Sequence, residues 1–165
     1  MSPDRASRYC GYVTAMRPSW ASSEGVRASM RSNRGRDTGP ELALRRAVHA
    51  LGLRYRVSAR PIPSVRRTAD LAFLRARVAV FLDGCFWHGC PTHHTVAVTN
   101  ADYWAKKVRE NRERDAETDR LLCEAGWISV RVWEHDDPAV AALRVQQAVQ
   151  SRLRDLAATQ PGSTC

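Results

Sequence analysis

The sequence predicts an α/β protein in which a small mixed β-sheet is flanked by helices on both faces. Short apolar runs have the length and composition of strands, and longer segments repeat apolar residues at helical spacing. The two kinds of segment alternate along the chain. The predicted order is a helix (38–51), three strands (54–57, 70–74, 78–82), a long helix (100–124), a strand (127–133) and a last helix (139–156).

The first helix has signals at both ends. Thr38 can cap its N-terminus, Pro40 suits its first turn, and Glu41 follows the cap by three residues, as in a capping box. Gly52 follows the last apolar position and ends the helix. The local pattern therefore assigns Glu41 to capping.

The second and third strands are separated only by residues 75–77, which is short enough for a hairpin, so they should be antiparallel. Asp70 begins one strand and Asp83 ends the other, so the two carboxylates should meet at one edge of the sheet. Two acids there could hold magnesium, which prefers oxygen ligands. The pattern fits ordinary turn aspartates at least as well.

A long helix precedes the fourth and last strand of the predicted sheet. Thr99 or Asn100 is placed to cap the helix, its middle is polar, and Gly126 ends it. The next strand ends at Trp133 and is followed by His135. If this strand lies beside strand 78–82, their ends face each other.

Charge is distributed unevenly along the chain. The net charge is +9, from 26 basic and 17 acidic residues, and residues 1–69 hold 14 arginines against 4 acids. Arginine suits phosphates and base edges, so the basic front half indicates a nucleic-acid partner. A codon preference for arginine would explain the choice of arginine over lysine, but not this asymmetry.

A length of 165 residues favours one domain. We expect a flexible N-terminal extension (1–26), one folded domain (27–157) and a disordered tail (158–165). The chain has no apolar run long enough to span a bilayer and no secretory signal, so the sequence predicts a cytoplasmic protein without a membrane partner.

Residues 80–94 concentrate cysteines and histidines after an apolar strand. Cys85, Cys90 and His93 offer zinc ligands at loop spacing, His94 is an alternative to His93, and His135 is the best remote fourth ligand. Buried cysteines with solvent-exposed histidines would be the plain alternative, and the clustering favours a metal site.

The same stretch carries two further candidates. His88 could transfer a proton, because histidine titrates near neutrality, or it could bind zinc. Phe86 and Trp87 could belong to the core, or could wedge between base pairs together with Met30.

These motifs resemble those of the very short patch repair (Vsr) DNA mismatch endonucleases. The resemblance rests on Asp-Gly-Cys-Phe-Trp-His-Gly-Cys-Pro at 83–91, on Met-Arg-x-Asn-Arg-x-Arg-Asp-Thr at 30–38, and on Gly-Trp…Val-Trp-Glu at 126–134. It implies a restriction-endonuclease-like fold, a structural zinc ion, and magnesium-dependent nicking 5′ to the thymine of a T·G mismatch that arises from deamination of 5-methylcytosine.

The resemblance also implies roles for single residues. Asp70 and the main-chain carbonyl of Leu82 would bind magnesium, His88 would be the catalytic histidine, and Glu41 would be an acid near the active site. Phe86, Trp87 and Met30 would intercalate into DNA. Glu41 can serve the site only by giving up the reciprocal cap.

The chain departs from the family pattern at several positions, among them the next zinc ligand, which moves from the Thr92 position to His93 or His94, and Thr68-Ala69 before Asp70. Asp83 stands where a family member has an active-site histidine, and it supplies a second catalytic carboxylate. Cys90 stands where that member has a histidine zinc ligand, and His135 where it has a cysteine. The implied zinc ligands are therefore Cys85, Cys90, His93 and His135.

The sequence thus predicts a monomeric mismatch endonuclease that acts on double-stranded DNA, with mismatch-repair proteins and a polymerase as possible partners. One alternative is a restriction or defence nuclease on the same fold with another target. Another is a zinc-stabilised DNA-binding module without catalysis.

Overall fold

The computed structural model describes residues 36–158, which belong to one compact unit of the chain, Arg34–Cys165. The predicted extension (1–26), Met30 and residues 159–165 of the predicted tail lie outside the described residues. The elements are α1 (Gly39–Ala50), β1 (Arg56–Ala59), β2 (Ala69–Phe73), β3 (Val78–Asp83), α2 (Ala101–Glu124), β4 (Ile128–Trp133) and α3 (Pro138–Ala158).

The four strands form one sheet in the order β1-β2-β3-β4. The β1/β2 and β2/β3 pairs are antiparallel, which confirms the predicted hairpin, and β3/β4 is parallel. Asp83 lies opposite Trp133 in the parallel register. The residues after β3 and β4 therefore start at the same edge of the sheet, as expected.

Helices cover both faces of this mixed sheet, as the sequence predicts. On one face, α1 and α3 pack against alternate sheet residues that include Leu71, Val78 and Val80. On the other face, Leu122 of α2 packs against Phe81. Val80 is fully buried, and a side chain buried to this extent contributes about 1.5–3 kcal/mol to folding.

Local differences from the predictions occur at element ends. The first strand begins at Arg56 rather than at residue 54, because pairing of Arg56 with Ala72 sets its register and alternation alone does not. Asn100 holds the N-cap position of α2 in a left-handed conformation (φ 57°), and its side chain makes no capping hydrogen bond. The predicted side-chain cap is therefore wrong at Asn100, since such caps need an extended backbone.

The last helix begins at a cap that the sequence analysis did not identify. The carboxylate of Asp137 accepts hydrogen bonds from the backbone N–H groups of Ala139 and Val140, and Pro138 occupies the first helical position. Within residues 36–158, no helix is long and apolar enough to cross a membrane.

Candidate active site

A polar pocket of about 210 Å³ lies where the ends of the central strands meet α2. Side chains alternate across a strand, so Phe81 and Asp83 of β3 share one face, and Arg131 of β4 lies opposite Phe81 in register. This is the face that α2 covers. The residues lining the pocket are Arg67, Thr68, Asp70, Phe81, Leu82, Asp83, His88, Arg114, Asp115, Thr118 and Arg131.

Asp70 lies at the wall of this pocket, close to the end of β3. Its Oδ2 accepts a hydrogen bond of 2.8 Å from the backbone N–H of Leu82. Burial raises the pKa of Asp70; the Leu82 hydrogen bond opposes this rise, and the charges of Glu41 and Asp83 add to it. The two aspartates therefore lie close enough to influence each other, as the hairpin geometry predicts.

Glu41 is buried at the start of α1. Thr38 Oγ1 accepts a bond of 3.5 Å from the Glu41 N–H, whereas Glu41 Oε2 accepts from the N–H of Asp37, not from that of Thr38. Arg45 also donates to Oε2, at 2.9 Å. Glu41 thus does not make the reciprocal capping bond to Thr38. Its charge reaches Asp70, but its side chain does not line the pocket.

Asp83 is buried and paired with Arg131. Nη1 of Arg131 lies 2.9 Å from one carboxylate oxygen of Asp83 and 3.0 Å from the other. Burial raises the pKa of Asp83, and the charge and hydrogen bonds of Arg131 counteract the rise. The second carboxylate of the site is therefore held by an arginine from the neighbouring strand.

His88 follows β3 and faces two carboxylates. Its Nδ1 lies 2.6 Å from Oδ2 of Asp115, on α2, and 3.7 Å from Oδ1 of Asp83. The hydrogen bond to Asp115 raises the pKa of His88; burial opposes it, and Asp83 adds to the rise. Because Asp115 occupies Nδ1, Nε2 is the ring nitrogen left for proton transfer.

Four potential metal ligands gather beyond the ends of β3 and β4. The ligand atoms of Cys85, Cys90, His93 and His135 all lie within 4.8 Å of one another. The Sγ–Nδ1 distances are 3.0 Å for Cys85–His135, 3.8 Å for Cys90–His135 and 3.9 Å for Cys90–His93. Tetrahedral zinc with ordinary bond lengths would place such atoms about 3.6 Å apart, so the donor set fits zinc.

The cluster includes His93 and not His94. Nδ1 of His94 is enclosed without a hydrogen-bond partner within residues 36–158, and its ring lies 6.1 Å from that of Phe86. His135 has a carboxylate partner beyond the cluster, because its Nε2 lies 3.6 Å from Asp136. Such an outer carboxylate is common behind a metal-binding histidine.

The turn that carries these ligands is anchored to Glu134, the residue that follows β4. The backbone N–H of Cys85 donates to Oε1 of Glu134 at 2.6 Å, and the N–H of Glu134 donates to the carbonyl of Asp83 at 3.0 Å. Gly89 has a positive φ of 64°, and a Cβ on it would stand 2.7 Å from Val108 of α2. The loop therefore packs against α2 at a distance only glycine allows.

Aromatic side chains form a cluster between the turn and the start of α2. Phe86 and Trp87 have ring centroids 5.3 Å apart, and each lies within 5.5 Å of Trp104. Trp87 is 40% exposed, and its carbonyl accepts a hydrogen bond from the side chain of Asn111 at 2.8 Å. The turn thus presents an aromatic surface that is only partly buried.

Comparisons with known proteins identify the family. The family model described as DNA mismatch endonuclease Vsr matches residues 22–95. The chain is 46% identical over 123 residues to the type II nicking enzyme V.NaeI of Lentzea aerocolonigenes, covering 72% of this chain and 74% of that protein. The chain belongs to the Vsr family.

Two further Vsr-family relatives support this assignment. The type II nicking enzyme V.HpaIIP of Haemophilus parainfluenzae is 36% identical over 126 residues, or 73% of this chain and 87% of the relative. The DNA mismatch endonuclease Vsr of Escherichia coli (strain K12) is 34% identical over 110 residues, or 64% and 67% respectively. The protein is therefore a DNA endonuclease, and DNA is its partner.

The sequence did not identify Asp115 and Arg131, which line the pocket, or Asp119, which lies outside its lining and binds Arg131. The polar middle of α2 resembles a solvated face. However, positions 115, 118, 119 and 122 share one helical stripe, and Leu122 on that stripe is buried. That spacing was an available signal for Asp115 and Asp119. For Arg131, a charge within an apolar strand was the available signal.

Proposed function

We propose that this endonuclease nicks one strand of duplex DNA 5′ to the thymine of a T·G mismatch, in a magnesium-dependent reaction that begins very short patch repair of deaminated 5-methylcytosine. The observation that carries the proposal is the pocket itself. It joins Asp70, beside Leu82, to the hydrogen-bonded pair His88–Asp115 in a chain of the Vsr family.

Asp70 and the carbonyl of Leu82 are the proposed magnesium ligands. The donor chemistry fits, because one oxygen of Asp70 is engaged by the Leu82 N–H and the other has no hydrogen-bond partner within residues 36–158. Both residues line the pocket. Magnesium, when bound, would stabilise the negative charge that develops on the phosphate.

His88 moves the proton in the proposed reaction. Water attacks the phosphorus, the bond from phosphorus to the preceding O3′ breaks, and the products are a 3′-hydroxyl and a 5′-phosphate. Nε2 of His88 takes the proton of the attacking water while the leaving O3′ takes a proton from solvent. Asp115 holds the ring and stabilises its charged form, and Asp83 adds a second negative group at 3.7 Å.

Zinc is the proposed structural ion, held by Cys85, Cys90, His93 and His135. When bound, it would cross-link the turn after β3 to the segment after β4. The ligands alternate along the chain with His88 and with Phe86 and Trp87. This side-chain cluster therefore orients the catalytic and aromatic residues without entering the chemistry.

Phe86 and Trp87 are the proposed intercalating residues, with Met30 joining them. Trp87 is exposed enough to reach a base step, and Trp104 supports both rings from α2. Inserting such a wedge costs a few kcal/mol of base stacking, and a mismatched step is easier to open than a paired one. Mismatch recognition would follow from that difference.

A second candidate is a nicking nuclease of the same fold with another target. The relatives at 46% and 36% identity carry names of type II nicking enzymes, and the site has Asp83 where the family resemblance offers histidine. Cleavage mapping separates the two candidates.

The test is a nicking assay with end-labelled duplexes that contain T·G, T·A or C·G at one position, with and without magnesium. We expect a single nick 5′ to the mismatched thymine. The variants Asp70→Asn and His88→Ala should abolish it, whereas His49→Ala, at an exposed histidine of α1, should not. Equal cutting of all duplexes would exclude mismatch specificity, and activity in Asp70→Asn would exclude the proposed ligand.

A further inference from the structure

Arg131 is the most highly connected charged side chain of the pocket. It projects from β4 toward α2, with its guanidinium carbon 5.0 Å from the centroid of the Phe81 ring. Its nitrogens reach the carboxylates of Asp83, Asp115 and Asp119. One arginine thus joins β3, β4 and α2 at the point where His88 stands.

The hydrogen bonds of Arg131 use all three of its nitrogens. Nη1 donates to both oxygens of Asp83 and lies 3.3 Å from Oδ1 of Asp115. Nε donates to Asp119 at 2.9 Å, and Nη2 donates to Asp119 and to the carbonyl of Asp115, each at 3.2 Å. An arginine has five N–H donors, and these contacts engage them all. Arg131 therefore has no donor left for a DNA phosphate.

Asp119 is itself fixed in place. Its Oδ1 accepts a bond of 2.6 Å from the hydroxyl of Ser129, which lies two residues before Arg131 on the same face of β4. Asp119 therefore fixes the orientation of the guanidinium plane through Nε and Nη2, and this orientation directs Nη1 toward Asp83. A lysine could supply the charge at this position but not the planar arrangement of donors.

This arrangement decides what Asp83 can bind. Asp83, His88 and Asp115 place their ligand atoms within 4.8 Å of one another, as the ligands of a metal ion would. Nη1 of Arg131, however, lies between the two carboxylates, within 3.3 Å of an oxygen of each. The guanidinium already supplies the positive charge of this cluster, and a divalent ion beside it would be repelled.

We infer that Arg131 is a positioning residue that commits Asp83 to an ion pair beside His88, so that Asp83 is not a magnesium ligand. The inference rests on the proposed function, and it gives the two aspartates different roles. Asp70 would bind the metal through the oxygen that has no hydrogen-bond partner in the described part of the chain, residues 36–158. Asp83, with Arg131, holds Asp115 and the ring of His88 in place.

The test compares metal binding with activity. Mn²⁺ serves as a paramagnetic probe of the magnesium site, and its binding to protein with a T·G duplex is followed by loss of the free-ion EPR signal. We expect Asp70→Asn to weaken Mn²⁺ binding at least about ten-fold, as loss of a ligand should. Asp83→Asn should leave the Mn²⁺ affinity within about two-fold of the wild type while lowering the single-turnover nicking rate about 10²-fold. Weakening of Mn²⁺ binding by Asp83→Asn to the same degree as by Asp70→Asn would overturn the inference.

Substitution of the arginine gives a second measure. Arg131→Gln should slow nicking about as much as Asp83→Asn, and the double variant should be no slower than either single one, because the pair acts as a unit. Arg131→Lys should not restore the rate. A positioning role would be refuted if the rate losses of the two single variants multiplied in the double variant, or if Arg131→Lys nicked at the wild-type rate.

A control variant and a fallback measurement make these outcomes interpretable. Arg154→Gln, at an exposed arginine of α3, should change neither the Mn²⁺ affinity nor the rate. If Arg131→Gln fails to fold, the near-isosteric Asp83→Asn still decides the question through Mn²⁺ binding. A wild-type protein that binds Mn²⁺ but nicks no T·G duplex would count against the proposed function alone, and the binding comparison would still test the inference.

Discussion

Replacement of Asp115 by asparagine should slow DNA nicking while leaving the fold in place. Asp115 lies 2.6 Å from Nδ1 of His88, a hydrogen bond that is charge-assisted once the ring is protonated. A hydrogen bond to a charged group contributes about 1.5–3 kcal/mol, and each 1.36 kcal/mol is a factor of ten in rate, so the loss should be about 10- to 150-fold. An asparagine amide that donates to Nδ1 would also favour the wrong tautomer and increase the loss.

The assay is single-turnover nicking of a T·G duplex at saturating protein, so that the rate reports the chemical step and not binding. The double variant Asp115→Asn/His88→Ala should be no slower than His88→Ala, because Asp115 acts through the ring. A rate for Asp115→Asn within three-fold of the wild type would refute this reasoning. So would a further loss in the double variant.

The same pair gives a prediction about pH and stability. Burial acts to raise the pKa of Asp115, but the hydrogen bond from His88 and the charge of Arg131 outweigh it and hold the pKa below its usual value. A carboxyl group with a lowered pKa stabilises the fold above its unfolded pKa of about 3.9 and loses this contribution as the pH falls through the folded value. The melting temperatures of wild type and Asp115→Asn should therefore differ near neutrality and converge below about pH 4. A difference that grew toward acid would contradict the assignment.

Three further predictions concern the loop and its support. Gly89→Ala should destabilise the protein by about 1–3 kcal/mol, because the new Cβ meets Val108 at 2.7 Å on a backbone with positive φ, and Val108→Ala should recover part of the loss in thermal melts. Under the proposed zinc assignment, Cys90→Ala should lower the zinc content per chain relative to the wild type, measured by elemental analysis, and should lower the melting temperature; an unchanged zinc content would exclude Cys90 as a ligand. Trp104→Ala removes the ring that supports Trp87, so it should weaken binding to a T·G duplex more than binding to a T·A duplex in competition assays. Equal losses of affinity for both duplexes would contradict a supporting role.

Most of the fold could be predicted because it depends on local patterns. The antiparallel hairpin follows from the length of the 75–77 connection, and the long helix from its apolar spacing and from the glycine at 126. The sequence pattern predicts the start of β1 two residues too early, because register depends on the partner strand. The cap at Asp137 was missed, although its aspartate directly precedes a proline at the helix start.

The residues of the candidate site also fall into two groups, those that the sequence identifies and those that it does not. Residues that follow β3 in sequence were identifiable, because a strand end with cysteines, histidines and an aspartate concentrates metal and acid–base chemistry in a few positions. Asp115 and Arg131 belong to elements far along the chain, and local spacing can indicate that they are partly buried but not which groups they contact. Only the packing of α2 over β3 and β4 brings them to His88 and Asp83.

The sequence by itself determined the family, the order of elements and the chemical types available at the end of β3, because these depend on residue identity and short-range spacing. The tertiary structure decided the partners. The parallel pairing of β3 with β4 brings His135 to Cys85, as the sequence leads us to expect, and the same pairing places Arg131 against Asp83, which the sequence does not indicate. The two aspartates therefore have different partners: both oxygens of Asp83 bind an arginine about fifty positions later in the chain, whereas one oxygen of Asp70 has no hydrogen-bond partner among residues 36–158. Long-range register is set by the burial of whole faces of a sheet, and no local pattern encodes it.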